Sequence, residues 1–229
     1  MFESVTTASR QLAKNRNVFG LIRNRYGVRG AMMLLEDVLF DIRHRTDTIL
    51  PVHNSDLFEP SEVAERQRYL PTPSVVIRES FRLLSRYTSL NNVNLIDMGC
   101  GKGKVLFEAA KLPFAKVKGV EYSRPLYEIA QRNVEKLGLQ DRIELYCMDA
   151  MGWRPSEHDR VYFLFNPFNG KVLSKVLDNI CEATPPGSKT SIIYGNPVCD
   201  EMFVQRMKCL ARTVVDPGVR VNFYEFEPR

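Results

Sequence analysis

The sequence predicts an α/β protein: a mostly parallel sheet covered by helices on both faces and closed at one edge by an antiparallel hairpin, plus an N-terminal helical extension. Three observations carry this. From about residue 93 short β-rich runs alternate with helical ones; the first of these strands ends in a glycine-rich loop that opens a helix; and the last two strand-like runs have no helix between them. Strand–helix alternation indicates a parallel sheet covered on both faces. Strands joined directly pair antiparallel.

Residues 1–68 read as the extension. Within it AMMLLEDVLFDIR (31–43) places Met32, Leu35, Val38, Leu39 and Ile42 on one face at helical spacing. Pro51, Pro60, Pro71 and Pro73 then break the chain into short pieces. The main domain, 69–229, opens with a helix over 74–87 (SVVIRESFRLLSRY), with Ser74 as its N-cap and Val76, Ile77, Phe81 and Leu84 buried. Strands are expected at 93–98, 117–121, 142–147, 160–165 and 189–194, and helices at 104–111, 125–137, 171–182 and 200–211. Residues 213–216, the Pro217-Gly218 turn and 219–226 read as an antiparallel hairpin closing one edge, whereas a dinucleotide-binding sheet normally closes with another parallel crossover.

At 229 residues, 44% hydrophobic and 26% charged, the chain has the makings of one large soluble domain with an extension. It has no apolar run near the roughly 18–20 residues that span a bilayer, and its start lacks a secretory block, so a cytoplasmic protein is expected. Cys100, Cys147, Cys181, Cys199 and Cys209 form no C-x-x-C pair and no zinc spacing with His44, His53 or His158. The net charge of +5 sits in the first thirty residues, where Arg10, Lys14, Arg16, Arg23, Arg25 and Arg29 face Glu3 alone. Such an end can steer a protein toward polyanions.

The chemistry centres on Asp97-Met98-Gly99-Cys100-Gly101-Lys102-Gly103-Lys104. Glycine at every second position permits positive φ and close approach of a ligand to the backbone, at the strand end where open α/β sheets bind ligands. The spacing is not the dinucleotide G-x-G-x-x-G, and no Ser or Thr follows Lys102 or Lys104 as in a phosphate-cradling loop. A carboxylate at the mouth repels phosphate and suits a cationic ligand carrying an amino group. Glu121, ending the second strand about 20 residues on, suits both hydroxyls of a ribose. Asp149, after the third, suits the exocyclic amine of adenine, with Met148 and Ala150 as apolar edges. Each acid taken alone also reads as a strand-end cap, a solvent-facing residue or a turn.

Together Asp97–Gly103, Gly119-Val120-Glu121-Tyr122-Ser123 and Met148-Asp149-Ala150 resemble the first three motifs of class I S-adenosylmethionine-dependent methyltransferases, over about residues 69–229. The resemblance implies a three-layer αβα sandwich on a seven-stranded, mostly parallel sheet with an antiparallel last strand, in agreement with the closing hairpin, and S-adenosylmethionine as cofactor. Asp97, Gly99, Cys100, Gly101 and Gly103 would lie along its methionyl and ribose parts, Glu121 at the ribose, Asp149 at the adenine and Tyr122 stacked near it. Asn166-Pro167-Phe168, after the fourth strand, resembles the [D/N]-P-P-[Y/F] motif of amino-methylating enzymes with one proline fewer. In that motif the asparagine and the next carbonyl aim a target NH₂ at the methyl carbon. Tyr69-Leu70-Pro71-Thr72-Pro73 resembles a segment of some protein-lysine methyltransferases that folds over the cofactor, with Tyr69 or Thr72 closing the site. With Tyr26-Gly27-Val28-Arg29-Gly30, the pattern is most similar to uncharacterised bacterial members.

The expectation is therefore metal-free methyl transfer to nitrogen, with a lysine-like protein amino group as first choice of acceptor. Two other readings stay open. One is an RNA methyltransferase gripping phosphates with residues 1–30; the other is a module that binds the cofactor and catalyses nothing.

Overall fold

The computed structural model describes residues 32, 34–50, 52, 69, 71–215 and 219–228. The basic residues of 1–30, the Tyr26–Gly30 element, Pro51, Pro60 and the Pro217-Gly218 turn lie outside the described residues.

Strands β1 (Asn94–Met98), β2 (Val117–Glu121), β3 (Ile143–Cys147), β4 (Asp159–Phe165) and β5 (Thr190–Gly195) run parallel, and β6 (Lys208–Val215) and β7 (Val219–Phe226) complete a seven-stranded sheet in the order β3-β2-β1-β4-β5-β7-β6. β7 is antiparallel to both β5 and β6. Every residue of β1 is buried because both sheet faces are covered, and its side chains alternate between two cores. Leu95 joins the layer of α2 (Ser74–Leu84) and α3 (Lys104–Ala109). Ile96 and Met98 join that of α5 (Gly170–Ala183) and α6 (Asp200–Val204). Helix α4 (Arg124–Leu137) returns from β2 to β3 and ends on the left-handed Gly138.

The strand order reverses at β1, between β2 and β4, so the crossovers leaving those strands diverge and open a cleft at their carboxyl ends. Val76, Ile77, Phe81 and Leu84 of α2 are buried as the periodicity requires. Ser74 is not its cap. Pro73 precedes the helix, and the Ser74 N–H points to Asp37 Oδ1 at 3.4 Å.

Two elements differ from expectation. The helix expected over 200–211 ends at Val204, and Lys208–Val215 is strand, because its backbone pairs with β7 from Lys208↔Glu225 to Val215↔Val219. Residues 34–44 are helical (α1), but this helix turns Leu34, Asp37 and Asp41 inward and leaves Met32, Leu35, Leu39 and Ile42 more than half exposed. The inward carboxylates have partners. Asp41 accepts bonds from the Thr46 hydroxyl, the Thr48 hydroxyl and N–H, and the Ile49 N–H.

Candidate functional site

The glycine loop between β1 and α3 turns through three left-handed residues, Gly99 (φ 85°), Gly101 (53°) and Gly103 (91°). Two of these glycines make room for other chain segments. A Cβ on Gly99 would lie 2.7 Å from Pro167 Cβ, and one on Gly101 would lie 2.5 Å from Tyr69 Cε2. The loop is thus pressed between the turn after β4 and the tyrosine that leads into α2. Gly103 does not line the cleft. It precedes α3, and a Cβ there would meet the Phe107 ring.

Asp97, Glu121 and Asp149, from three neighbouring strand ends, face this one cleft. Asp97 is 3% exposed, and its Oδ2 has no hydrogen-bond partner among the described residues. Burial pushes its carboxyl well above the usual carboxylate range, and the charge of Glu121 adds to the shift. A buried carboxylate left without a donor costs free energy unless a ligand supplies one. Glu121 is oriented by two backbone donors, the Gly101 N–H to Oε2 and the Ser123 N–H to Oε1, both at 2.8 Å. Asp149 accepts the Met151 N–H through Oδ1 as it opens a 3₁₀ turn, so it serves that turn and lines the cleft as well. Tyr69, Thr72, Cys100, Tyr122, Met148 and Ala150 also line it. The Cys100 thiol is held protonated, chiefly by burial.

The two lysines of the loop, Lys102 and Lys104, are committed to the N-terminal segment. Lys102, 1% exposed, donates to Asp47 Oδ1 (2.7 Å) and to the Leu50 carbonyl (2.8 Å). Lys104 Nζ pairs with Asp37 Oδ2 at 2.5 Å. Burial draws both lysines below the ordinary ammonium range, and the paired carboxylates pull them back. Asn133 of α4 clasps the same region: its carboxamide accepts the Asp47 N–H and donates to the carbonyls of Asp47 and Lys102. The Tyr69 hydroxyl donates to the Thr48 carbonyl at 2.8 Å. With its lysines engaged in this way, the loop offers no cationic grip for a phosphate.

At the far wall, Asn166, Pro167 and Phe168 follow β4 into the cleft. Asn166 takes a left-handed φ of 45°, and its Oδ1 lies 3.4 Å from the Tyr194 hydroxyl, which itself accepts the Cys199 N–H. The structure brings together every residue expected from the sequence except Gly103. Sequence reasoning missed Lys104, Phe163, Phe165 and Asn196, which share the cleft. The signal for Asn196 was present: Asn196-Pro197 ends β5 as Asn166-Pro167 ends β4.

The cleft passes two tests for S-adenosylmethionine. Asp97, a buried carboxylate without a hydrogen-bond partner among the described residues, suits a cationic amine, and the glycine turn has no room for a Cβ at Gly99 or Gly101. Comparison with known proteins agrees. Residues 95–187 match the family described as a methyltransferase domain. A methyltransferase, GfsG, from Streptomyces halstedii is 27% identical over 133 residues, 54% of this chain and 48% of that protein. A ribosomal protein L11 methyltransferase from Salmonella arizonae is 40% identical over 57 residues, 25% of this chain and 20% of that protein. The chain therefore spans about half the length of the first relative and a fifth of the second. Among solved structures, an RNA methyltransferase from Salinibacter ruber in complex with S-adenosylhomocysteine superposes with TM-score 0.56 at 19% identity, over 70% of this chain and 95% of that one. The [4+2]-cyclase SpnF gives 0.56 at 12%, over 69% and 84%. At these identities the likeness is one of fold.

Proposed function

We propose, from the premise that residues 95–187 are a methyltransferase domain of the class I, Rossmann-like kind, that the protein uses S-adenosylmethionine to methylate a nitrogen. The observation that carries the reading is Asp97: a buried, unpartnered carboxylate beside a glycine turn, in one cleft with Glu121 and Asp149. Asp97 would hold the ammonium of the methionyl part, Glu121 the ribose hydroxyls and Asp149 the adenine amine. Tyr122, Met148 and Ala150 would supply apolar surface to the ring. Once bound, the cofactor supplies an electrophilic methyl group on a sulfonium.

The chain's own task is then alignment, which supplies several kcal/mol by holding reactants in contact. Asn166 Oδ1 accepts an N–H of the acceptor and turns its lone pair inward; Phe168 packs beside it; Tyr69 and Thr72 close the cleft from above. A lysine-like protein amino group is the first choice of acceptor. The Asn-Pro-Phe turn and the Tyr69–Pro73 lead-in occur together, and one relative is named for its action on a ribosomal protein. RNA is the second reading, favoured by the basic residues of 1–30 and by the RNA methyltransferase among the structural neighbours. A cytoplasmic setting accompanies both.

Two experiments test this. Calorimetry with S-adenosylhomocysteine, with NADH as competitor, should give binding that NADH does not displace; no heat with either cofactor form would sink the assignment. Incubation of cell extract with S-adenosylmethionine bearing a deuterated methyl group, followed by mass spectrometry of separated protein and RNA, should find the label on protein amines. Label on RNA alone, with transfer falling steeply with salt, would select the second reading. Label nowhere would leave the third reading, a module that binds the cofactor without transferring its methyl group, since fold alone does not fix function.

A further inference from the structure

The chain ends two adjacent strands in the same way. Asn166-Pro167 follows β4 and Asn196-Pro197 follows β5, and Phe165 pairs with Gly195, so the asparagines occupy equivalent positions on neighbouring parallel strand tips. Such strands lie about 5 Å apart. Both asparagines are left-handed, with φ of 45° and 48°. A residue before proline ordinarily stays extended, and holding a non-glycine residue in the left-handed region costs about 1–3 kcal/mol. Here the same costly turn is made twice, and both turns open on one cleft.

The surroundings fix the Asn196 backbone without engaging its side chain. Its N–H donates to the Arg220 carbonyl at 2.8 Å. Pro197 is buried. Gly195 lets the Phe165 ring lie across the turn, where a Cβ would come within 2.4 Å of Phe165 Cδ2. Among the described residues the carboxamide of Asn196 makes no hydrogen bond, and it faces the cleft half-buried.

We propose that Asn196 is a second acceptor-binding residue, paired with Asn166, and that the two carboxamide oxygens select a primary amino or amide group. This rests on the methyltransferase reading above. A carboxamide oxygen accepts through two lone pairs, so the Asn166 oxygen serves the acceptor as well as Tyr194. A nitrogen with two N–H bonds satisfies both carboxamides and keeps its lone pair directed into the cleft. A hydroxyl or a secondary amine has one hydrogen to give and leaves one carboxamide oxygen unmatched beneath the bound acceptor, an arrangement that polar sites reject.

The test needs no knowledge of the acceptor. Sinefungin is the cofactor analogue that carries an ammonium where the transferable methyl group sits; S-adenosylhomocysteine carries nothing there. Calorimetry with both ligands compares wild type with Asn196→Gly, which keeps the left-handed backbone and removes the side chain with its carboxamide. S-adenosylhomocysteine should bind both proteins within about twofold, while sinefungin should bind the variant about ten- to a hundredfold more weakly. Asn196→Asp, nearly isosteric, should bind sinefungin more tightly than wild type does, and it decides the matter where the glycine variant does not fold. Unchanged sinefungin affinity in either folded variant overturns the proposal. Wild type binding neither ligand overturns the methyltransferase reading, and this one with it.

Discussion

Replacing Asp97 with asparagine should strengthen the ligand-free protein and cripple it as a cofactor binder. The side chain is 3% exposed, Oδ2 has no donor among the described residues, and Glu121 is close enough to raise its pKa further. Its folded pKa therefore lies above the unfolded value of about 3.9. A group shifted in this direction gives its full stability below the unfolded pKa and loses it as pH rises through the folded pKa. The neutral, isosteric asparagine has no such loss. Near neutrality the variant should be more stable by about 1–2 kcal/mol, or roughly 2–8 °C in Tm for a chain of this size, and the gap should narrow as pH falls toward 4. Binding moves the other way. A carboxylate–ammonium pair at about 4 Å and an effective dielectric of 20 is worth about 4 kcal/mol. Part of that is offset by desolvating the ligand and deprotonating Asp97. A net loss of about 2–3 kcal/mol, or roughly 30- to 150-fold in Kd, is expected for S-adenosylhomocysteine. Thermal denaturation between about pH 5 and pH 8 reads the first effect. Calorimetry in two buffers of different ionisation enthalpy reads the second, and should find proton release on binding to wild type that is absent in the variant. A variant that binds the ligand as wild type does, or is less stable at about pH 8, would refute the role given to this carboxylate.

Three further substitutions probe the loop. Lys104→Met leaves Asp37 buried without its cation and should cost about 3–5 kcal/mol in chemical denaturation; adding Asp37→Leu should recover most of that loss, because no charge is then left buried. Lys102→Met should cost less, about 1–2 kcal/mol, since Asp47 is 35% exposed and water can replace the lysine. Its sharper readout is hydrogen exchange, which should accelerate at the amides of residues 45–50 while that of β1 is unchanged. Gly99→Ala forces a Cβ into a left-handed position 2.7 Å from the rigid Pro167 ring, so both Tm and sinefungin affinity should fall, the latter by about tenfold.

What the sequence made legible was local. The strand, glycine loop and helix around residues 94–109 announce themselves through short-range chemistry: a buried apolar run, glycines where φ turns positive, and a carboxylate at the strand end. The antiparallel finish was legible for the same reason, since no helix separates the last two strands. Other features depend on distant partners. Phe203, Met207 and Leu210 fit a helical period, but backbone pairing with β7 makes 208–215 an edge strand. The apolar spacing of Leu35, Leu39 and Ile42 predicts which residues share a face, while the face that α1 turns inward is chosen by Asp37 and Asp41, whose partners include a lysine far along the chain. Asn133 was the readable exception: three residues past buried Ala130 and seven past Leu126, it is a polar residue on the apolar stripe of α4, and it proves to be the clasp on Asp47.

These contacts explain why the loop alternates glycine with lysine. Loop positions 99 and 101 face inward, one under Pro167 and the other joined through its N–H to Glu121, while the lysines at 102 and 104 reach outward to Asp47 and Asp37. Tyr69 lies across Gly101 with the Lys102 ammonium 5.6 Å from its ring centroid, and its hydroxyl holds Thr48. Residues 37–50 are therefore linked through Tyr69 and Lys102 to Gly101, whose N–H holds the carboxylate proposed for the ribose. The matched family region begins at residue 95, yet Lys102 and Lys104 within it keep their carboxylate partners only when residues 37–50 are present. The unit proposed to bind the cofactor is accordingly larger than the matched region, and a chain cut at residue 69 should fold around the same sheet while binding S-adenosylhomocysteine more weakly than the whole.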